Sequence, residues 1–385
     1  MIPVHRMRGN IVRNPASTGA LICGLAAMLL ISACGEAEEE PVLAVPNETA
    51  SEEVDPTLAN CIEFEVLDGF ATTPSNIMLF FGLQTCAGEP LLGLQKEDFV
   101  ISESGNPISL FESNLTLLPR CTGFEFISVL LLDMSGSIVH SGSLPLLQDA
   151  AKGFISQLTN EFQLVSILLF DGQEDVQLLQ GFTSDKETLM GAVNSLSSYE
   201  IVDKSTNLNG AVLQGLAALD DQFLLSPETV LHQQGNLVVF TDGMDQAGLI
   251  ENATAAEAVT LSSHRVYSIG LGAEIEPNHL KSLGTAGAVF PNGTGDIATA
   301  FNQIGEEIVL DSQRYYVIGY CSPKRSGNHE LLLEVDGFAG TMNGIFNADE
   351  FGPGCDDASI IETAKLKAEA CADTSVFSGT GQFFD

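Results

Sequence analysis

The apolar residues between positions 124 and 312 follow two periods that alternate along the chain. Short, nearly continuous apolar runs, typical of buried parallel strands, are separated by stretches in which apolar residues recur at helical spacing. Strands are predicted at residues 126–133, 165–170, 176–180, 237–242 and 266–271, and helices at residues 144–158, 186–196, 208–221, 253–262, 279–283 and 297–309. Strands that alternate with helices predict an α/β fold built on a doubly wound, mostly parallel sheet.

Both flanks of this region, residues 61–123 and 313–385, show a different pattern. Short β-like runs separated by Gly, Pro and Asn are predicted at residues 61–67, 76–83, 99–103, 109–117, 315–320 and 330–335. We interpret the flanks as β-rich accessory segments that together form one β-sandwich, with residues 124–312 inserted into one of its loops. Two unrelated β-extensions are the alternative. From Glu350 onward the sequence is rich in Gly and Ser around one helical stretch at residues 360–370.

The first 33 residues have the order of a bacterial export signal. Three arginines precede an apolar run at residues 20–32 that ends in small residues. This run is too short for a comfortable membrane-spanning helix. Residues 31–34 read Ile-Ser-Ala-Cys and resemble the lipobox of bacterial lipoproteins, in which the cysteine becomes the lipidated first residue. An ordinary signal peptide cleaved near Ala33 is the alternative.

We therefore expect an exported bacterial lipoprotein that is anchored through Cys34. The next residue is Gly35 rather than Asp, which favours the outer membrane in the sorting rule of enteric bacteria, on either its periplasmic face or the cell surface. Residues 34–60 carry eight acidic residues, no basic residue and three prolines. Such a segment cannot bury an apolar face, so we predict a disordered tether.

The charge of the whole chain is strongly negative. Fifteen Lys and Arg residues oppose 51 Asp and Glu residues, for a formal net charge of −36 at pH 7. This charge repels nucleic acids and anionic lipid head groups. We therefore expect no nucleic-acid partner, and contact with the membrane through the lipid anchor only.

The cysteines fit an exported protein. Of eight cysteines, Cys23 lies in the signal segment and Cys34 is the predicted lipidation site. An even number remains in the mature chain, which predicts three disulfides in an oxidising compartment. These candidates are Cys61, Cys86, Cys121, Cys321, Cys355 and Cys371. Proximity to predicted strand ends suggests the pairs Cys86–Cys121 and Cys321–Cys355, although six cysteines allow 15 pairings.

Three polar motifs follow predicted elements of the α/β region. Residues 133–137 read Asp-Met-Ser-Gly-Ser at the end of an apolar strand, and residues 241–243 read Thr-Asp-Gly at the end of another. Between them, Thr206 lies in a polar loop that leads into a predicted helix. Open α/β folds bind ligands at the carboxyl ends of their strands. Carboxylate and hydroxyl oxygens can converge there on a small hard cation such as Mg²⁺.

In this order the motifs resemble the metal-ion-dependent adhesion site of von Willebrand factor A (VWA) domains. The resemblance covers residues 124–312, about half of the chain, and all five ligand positions of that family are filled. They are Asp133, Ser135, Ser137, Thr206 and Asp242. The resemblance implies that the three hydroxyl groups bind the metal directly or through water, while the two carboxylates orient waters and hydroxyls. It also implies Mg²⁺, with Mn²⁺ and Ca²⁺ as alternatives, and an open coordination position for an acidic residue of a protein ligand.

Two other interpretations stay open, a VWA scaffold without metal-dependent binding and a hydrolase. Asp and Ser at strand ends often only cap helices, and Thr-Asp-Gly is a common turn. The hydrolase has little support, because the chain contains no G-x-S-x-G, H-E-x-x-H, G-x-x-x-x-G-K-[ST] or G-x-G-x-x-G motif. We therefore expect a binding protein of the cell envelope that acts in adhesion or extracytoplasmic complex assembly, and not an enzyme.

Overall fold

The computed structural model describes residues 5–6, 60–118, 124–140, 142–158, 163–226, 230 and 232–365. The predicted lipidation site Cys34 lies outside the described residues, as do Cys121, Cys371 and the acidic tether up to residue 59. None of the helices in the described part of the chain is long and apolar enough to cross a membrane.

The elements are numbered along the chain. Before the α/β region they are β1 (His5–Arg6), β2 (Ile62–Thr72), β3 (Asn76–Thr85), β4 (Phe99–Glu103), β5 (Asn106–Pro107), α1 (Leu110–Ser113) and β6 (Thr116–Leu118). Within it they are β7 (Phe124–Asp133), α2 (Gly136–His140), α3 (Leu144–Leu158), β8 (Gln163–Phe170), β9 (Gln177–Thr183), α4 (Lys186–Ser195), α5 (Leu208–Leu225), β10 (His232–Gly243), α6 (Asn252–Leu261), β11 (Arg265–Glu274), α7 (Pro277–Leu283), β12 (Gly287–Val289) and α8 (Ile297–Ser312). After it they are β13 (Tyr315–Cys321), β14 (Asn328–Val335), β15 (Thr341–Asn347) and α9 (Asp357–Lys365).

The central sheet has the order β12-β11-β10-β7-β8-β9 and is parallel except for the edge strand β9. Alternate residues of β7 point to its two faces, as the strand period requires. Leu130 and Leu132 pack against α3, α4 and α8, whereas Val129 and Leu131 pack against α5, α6 and α7. The predicted doubly wound α/β fold is therefore confirmed.

The direction of chain winding reverses at β7. From this strand the chain continues to β8 on one side, whereas β10 pairs with β7 on the other side. Such a switch point opens a crevice at the carboxyl ends of the two strands, where α/β proteins bind ligands. β7 ends at Asp133 and β10 ends at Gly243, so two of the polar motifs meet at this crevice.

Both flanks contribute to two antiparallel sheets, with the orders β1-β2-β3-β13-β6 and β15-β14-β4-β5. Strands from before and after the α/β region are thus neighbours, and the two sheets share a core that includes Phe81, Phe99 and Tyr316. This confirms the predicted sandwich-like flanking region. β1 pairs with the edge of β2, although it lies within the first 33 residues, which are predicted to be a signal segment. The edge of β2 offers unpaired backbone groups with which His5–Arg6 can pair.

The strand predicted at residues 109–117 is wrong. The helix α1 occupies Leu110–Ser113, and Asn114 ends it in the left-handed conformation with a φ of 48°. Asn adopts this conformation more readily than most residues, which allows the chain to reverse into the short strand β6. A single helical turn is too short to show a helical period, so its apolar residues resemble those of a strand.

Two disulfides are described, Cys61–Cys86 and Cys321–Cys355. The second was predicted, but the predicted pair Cys86–Cys121 is wrong. Cys61 and Cys86 flank the paired strands β2 and β3, and the N–H group of Cys86 donates a 3.0 Å hydrogen bond to the carbonyl of Cys61. The hairpin therefore brings these two cysteines together, at a Cα–Cα distance of 5.4 Å.

Arg314 joins the α/β region to the flanking sheets. Its guanidinium group contacts the Glu65 carboxylate of β2 at 2.9 Å and the Asp311 carboxylate of α8 at 3.5 Å. The adjacent Tyr315 hydroxyl donates to the side-chain carbonyl of Gln234 in β10 at 2.9 Å. These contacts fix the end of the sheet that lies opposite the crevice.

Candidate metal centre

Asp133 is fully buried at the end of β7, and its carboxylate accepts two hydrogen bonds. Oδ1 accepts the backbone N–H of Ser135 at 2.8 Å, and Oδ2 accepts the hydroxyl of Thr241 at 2.6 Å. The Thr241 oxygen in turn accepts the N–H of Gly243 at 3.2 Å. Thr241 thus positions Asp133, a role that the sequence did not reveal although Thr241 is the first residue of the Thr-Asp-Gly motif.

Two serine hydroxyl groups connect the first motif to the last. The Oγ atoms of Ser135 and Ser137 are 3.1 Å apart, and Ser137 donates a 2.6 Å hydrogen bond to Oδ1 of Asp242. Four of the five predicted ligand residues therefore form one hydrogen-bonded row across the carboxyl ends of β7 and β10.

Thr206, the fifth predicted residue, lies against the same row. A methyl group placed on Gly243 would lie 3.6 Å from Oγ1 of Thr206. The carbonyl of Thr206 accepts the N–H groups of Gln246 and Ala247 at 2.8 and 3.1 Å. Thr206 as a residue is only 2% exposed, but its hydroxyl oxygen is not among the buried side-chain atoms that lack a partner in the described part of the chain. A hydroxyl group at this edge of the sheet could offer a neutral oxygen to an ion or to its bound water.

Asp171 holds the loop that carries Thr206. Its Oδ2 atom accepts the Tyr199 hydroxyl at 3.2 Å and the N–H groups of Val202 and Asp203 at 3.1 and 3.2 Å. Its carbonyl accepts the N–H of Asn207 at 2.9 Å. Asp171 was not predicted as a site residue, although its place directly after the apolar strand β8 resembles that of Asp133 after β7.

The two asparagines at positions 207 and 209 shape the start of α5. The Asn207 side chain accepts the N–H of Gly210 at 3.2 Å and donates to the carbonyl of Gln173 at 2.8 Å. Asn209 is buried and donates to the carbonyl of Ile250 at 2.9 Å. Met134, between the motif residues, is fully buried and packs in the core.

Burial is the main influence on the pKa of both carboxylates of the site, Asp133 and Asp242. It raises the pKa of Asp133 to about 6, while the hydrogen bonds from Thr241 and Ser135 oppose this change. Burial also raises the pKa of Asp242, to which the nearby Glu274 carboxylate adds repulsion. A cation at this edge would favour the ionised form of both groups.

The donor set contains only oxygen. The described residues include no group of three or more His, Cys, Asp or Glu side chains that could hold a metal ion. A metal here would therefore depend on hydroxyl groups and water beside two carboxylates. This set fits a hard cation such as Mg²⁺, which prefers oxygen ligands and retains several waters, better than a soft metal that prefers thiolate.

The family model of the von Willebrand factor type A domain matches residues 128–244. The match supports a VWA domain. It begins in β7, ends just after β10 and includes all five residues of the predicted metal site. No curated protein matches the chain.

Solved structures that match the chain have low sequence identity to it. A von Willebrand factor type A protein from Catenulispora acidiphila is 12% identical, with 75% of this chain and 72% of that chain covered and a TM-score of 0.42. The von Willebrand factor domain of the type V pili tip protein Mfa5 from Porphyromonas gingivalis is 12% identical, with coverages of 49% and 97% and a TM-score of 0.39. Proximal thread matrix protein 1 from the mussel byssus, with a zinc-occupied adhesion site motif, is 14% identical, with coverages of 54% and 49% and a TM-score of 0.38.

Proposed function

We propose that this protein binds Mg²⁺ at the crevice between β7 and β10 and uses it to hold an acidic residue of a protein ligand. The observation that supports this proposal is the hydrogen-bonded row from Asp133 to Asp242, with the hydroxyl group of Thr206 next to Gly243 beside it. Mn²⁺ and Ca²⁺ are alternative metals. The cation would supply a positive coordination position that a carboxylate from another protein can fill.

The residues of the chain have separate tasks in this proposal. Ser135, Ser137 and Thr206 would offer neutral oxygens, whereas Asp133 and Asp242 would orient hydroxyl groups and bound water. Because few carboxylates would contact the metal directly, the ion would keep most of its positive charge for the ligand. A metal held mainly by neutral oxygens would therefore favour an acidic ligand despite the net negative charge of the chain.

We place this binding activity in the bacterial cell envelope, in adhesion or in the assembly of an extracytoplasmic complex. The support is the lipobox-like sequence that ends at Cys34 and the acidic segment that follows it. A disordered tether of about 26 residues has a root-mean-square span of roughly 25–30 Å, which would carry the crevice away from the membrane. Growth with a labelled fatty acid tests the anchor, because wild type should take up the label and Cys34→Ser should not.

Calorimetric titration of the full chain with Mg²⁺ tests the metal site. Wild type should bind the ion and gain thermal stability in its presence, because a ligand bound only by the folded state stabilises that state. Ser137→Ala should weaken binding at least about tenfold through loss of one oxygen donor and of the contact with Asp242. Ser156→Ala is the matched control, because Ser156 is an exposed serine on α3. Absence of binding by wild type would leave a VWA scaffold without metal-dependent activity.

Neither His140 nor His279 supports the hydrolase alternative. His140 lies close in sequence to Ser135, but its Nδ1 atom is 2.8 Å from the carbonyl oxygen of Gly136 within α2. His279 is buried, and its Nε2 atom lies 2.7 Å from Oδ1 of Asn209. Both rings therefore have structural contacts, and neither contacts a hydroxyl group of the crevice.

A further inference from the structure

A cavity of about 390 Å³ lies beside the loop that carries Thr206. It is bounded by β8, by the edge strand β9 and by the short 3₁₀ turn at Leu196–Ser198. Its apolar wall consists of Leu169, Leu178, Leu179, Leu196 and Val202. The volume is at the lower end of the range found for small-ligand sites, and it is sufficient for one large apolar side chain.

Two apolar side chains of this cavity are open to water. Leu178 is 66% exposed on the edge strand β9, and Val202 is 63% exposed in the loop before Thr206. By contrast, Leu169 and Leu196 are buried at 2% and 1% exposure and form the inner part of the wall. An apolar group placed against Leu178 and Val202 would remove both from water, which is favourable by about 25 cal/mol per Å² of apolar surface.

The cavity and the candidate metal centre share a structural connection. Tyr199 lines the cavity, and its hydroxyl group donates to Asp171, which also holds the backbone of Val202. Asp171 directly follows Phe170, which pairs with Asp133 across the parallel strands β7 and β8, so Tyr199 links the cavity to the edge of the sheet that carries the metal centre. One ligand could therefore contact the metal and the cavity together.

The charge around the cavity restricts what it can accept. Glu200 is part of its lining, and Gln177, Ser195 and Ser198 add further polar groups to the wall. A carboxylate next to Glu200 would be repelled, whereas an apolar group would not. The acidic group of a ligand would thus be directed to the metal and the apolar group to the cavity.

We propose that the cavity receives a large apolar side chain of the same protein ligand whose acidic residue binds the metal. The recognised segment would contain an Asp or Glu near a Leu, Ile, Met or Phe. This inference rests on the proposed function, because it assumes a metal-bound carboxylate. It adds the cavity as the part of the surface that selects among acidic ligands.

Synthetic peptides that contain one Asp provide the probe, with either Leu or Ala placed at varied spacing from it. The full chain in Mg²⁺ should bind the best Asp–Leu peptide at least about tenfold more tightly than its Asp–Ala counterpart. Leu178→Glu should remove this preference. Leu178 is exposed on β9, outside the loop that carries Thr206, so the fold and Mg²⁺ binding by calorimetry should be unchanged.

Leu224→Glu is the matched control, because Leu224 is an apolar residue that is 84% exposed. It lies near the last residue of α5, about 24 Å along the helix from the first turn, which is beside the metal centre. This variant should keep the preference for Leu. Mg²⁺ binding without a preference for Leu peptides, or an equal loss in the Leu224 variant, would overturn the cavity proposal while the metal proposal stands. An Asp–Leu preference that persists without Mg²⁺ would also overturn it. No Mg²⁺ binding in wild type would overturn the proposed function, and the cavity proposal with it.

Discussion

The hydroxyl group of Thr241 donates a 2.6 Å hydrogen bond to the buried carboxylate of Asp133 and so joins the ends of β10 and β7. This contact lies beneath the row of hydroxyl groups that we propose for the metal. It determines where the Asp133 carboxylate points before any ligand arrives. The affinity of the crevice for a cation should therefore depend on Thr241, a residue that offers no oxygen to the metal in this proposal.

Replacement of Thr241 by Val should preserve the shape of the side chain but leave Oδ2 of Asp133 without its partner. A hydrogen bond to a charged group contributes about 1.5–3 kcal/mol, so Mg²⁺ affinity should fall at least about tenfold. Thr241→Ser should restore most of the affinity, because it keeps the donor. Calorimetry on the three proteins measures this, and equal affinity of wild type and the Val variant would contradict it.

The stability of the metal-free protein should depend on pH through Asp133. Folding raises the pKa of this group from its ordinary value of 3.8 to about 6, so the folded state holds the proton more tightly than the unfolded chain. The contribution of Asp133 to the free energy of unfolding should therefore fall as pH rises from about 4 to about 6, by on the order of 3 kcal/mol.

Denaturant unfolding in EDTA over this pH range, compared with Asp133→Asn, measures that contribution. The Asn variant should become more stable relative to wild type as pH rises, because it has no charge to bury. Mg²⁺ should reverse the trend in wild type, since the metal competes with the proton. A difference between the two proteins that does not change with pH would contradict the prediction.

Asp171→Ala should weaken metal binding without touching any proposed ligand. The change leaves the Tyr199 hydroxyl and the amides of Val202 and Asp203 without their acceptor. We expect a loss of about 1–3 kcal/mol in the free energy of unfolding and a several-fold lower Mg²⁺ affinity. Tyr199→Phe removes only one of these bonds and should have a smaller effect on both quantities. A larger effect of the Tyr199 variant would show that Asp171 does not organise the loop.

Peptide mapping under non-reducing conditions should recover Cys61 linked to Cys86 and Cys321 linked to Cys355. If the mature chain has three disulfides, as its even cysteine count predicts, Cys121 and Cys371 form the third. Alkylation of the denatured, unreduced protein should then label no thiol among these six cysteines. Two free thiols at Cys121 and Cys371 would reduce the number of disulfides to two.

The parts of the fold that could be predicted from the sequence are those with a long periodic signal. The bounds of α3 were predicted correctly, because its buried apolar residues recur at helical spacing over 15 residues. The helix α1 and the strand β15 were not predicted, since four residues contain only one helical turn and the three apolar residues of β15 are interrupted by Asn343 and Gly344. The pairing of Cys61 with Cys86 depends on a hairpin whose register is not apparent from cysteine spacing.

In the candidate site, too, the residues of local motifs could be predicted, whereas the residues that act through contacts distant in sequence could not. The motifs place Asp133 and Asp242 at strand ends, with Ser137 four residues after Asp133, and the sheet order brings them together. The positioning roles of Thr241 and Asp171 were not predicted. Thr241 contacts a carboxylate that is 108 residues away, and Asp171 holds amides 31 and 32 residues away. Such contacts follow from the packing of the sheet and its loops, and no local pattern indicates them.

The contact between Arg314 and Glu65 joins residues that are 249 positions apart, and the paired residues of β3 and β13 are separated by nearly as many, from 233 to 245. A ribosome adds about 5–20 residues per second, so this interval lasts on the order of tens of seconds during synthesis. Throughout it, the nascent chain carries an apolar strand with one unpaired edge, which can pair with the same strand of another chain. Efficient production of this protein should therefore depend on chaperones that cover β3 until β13 has been made.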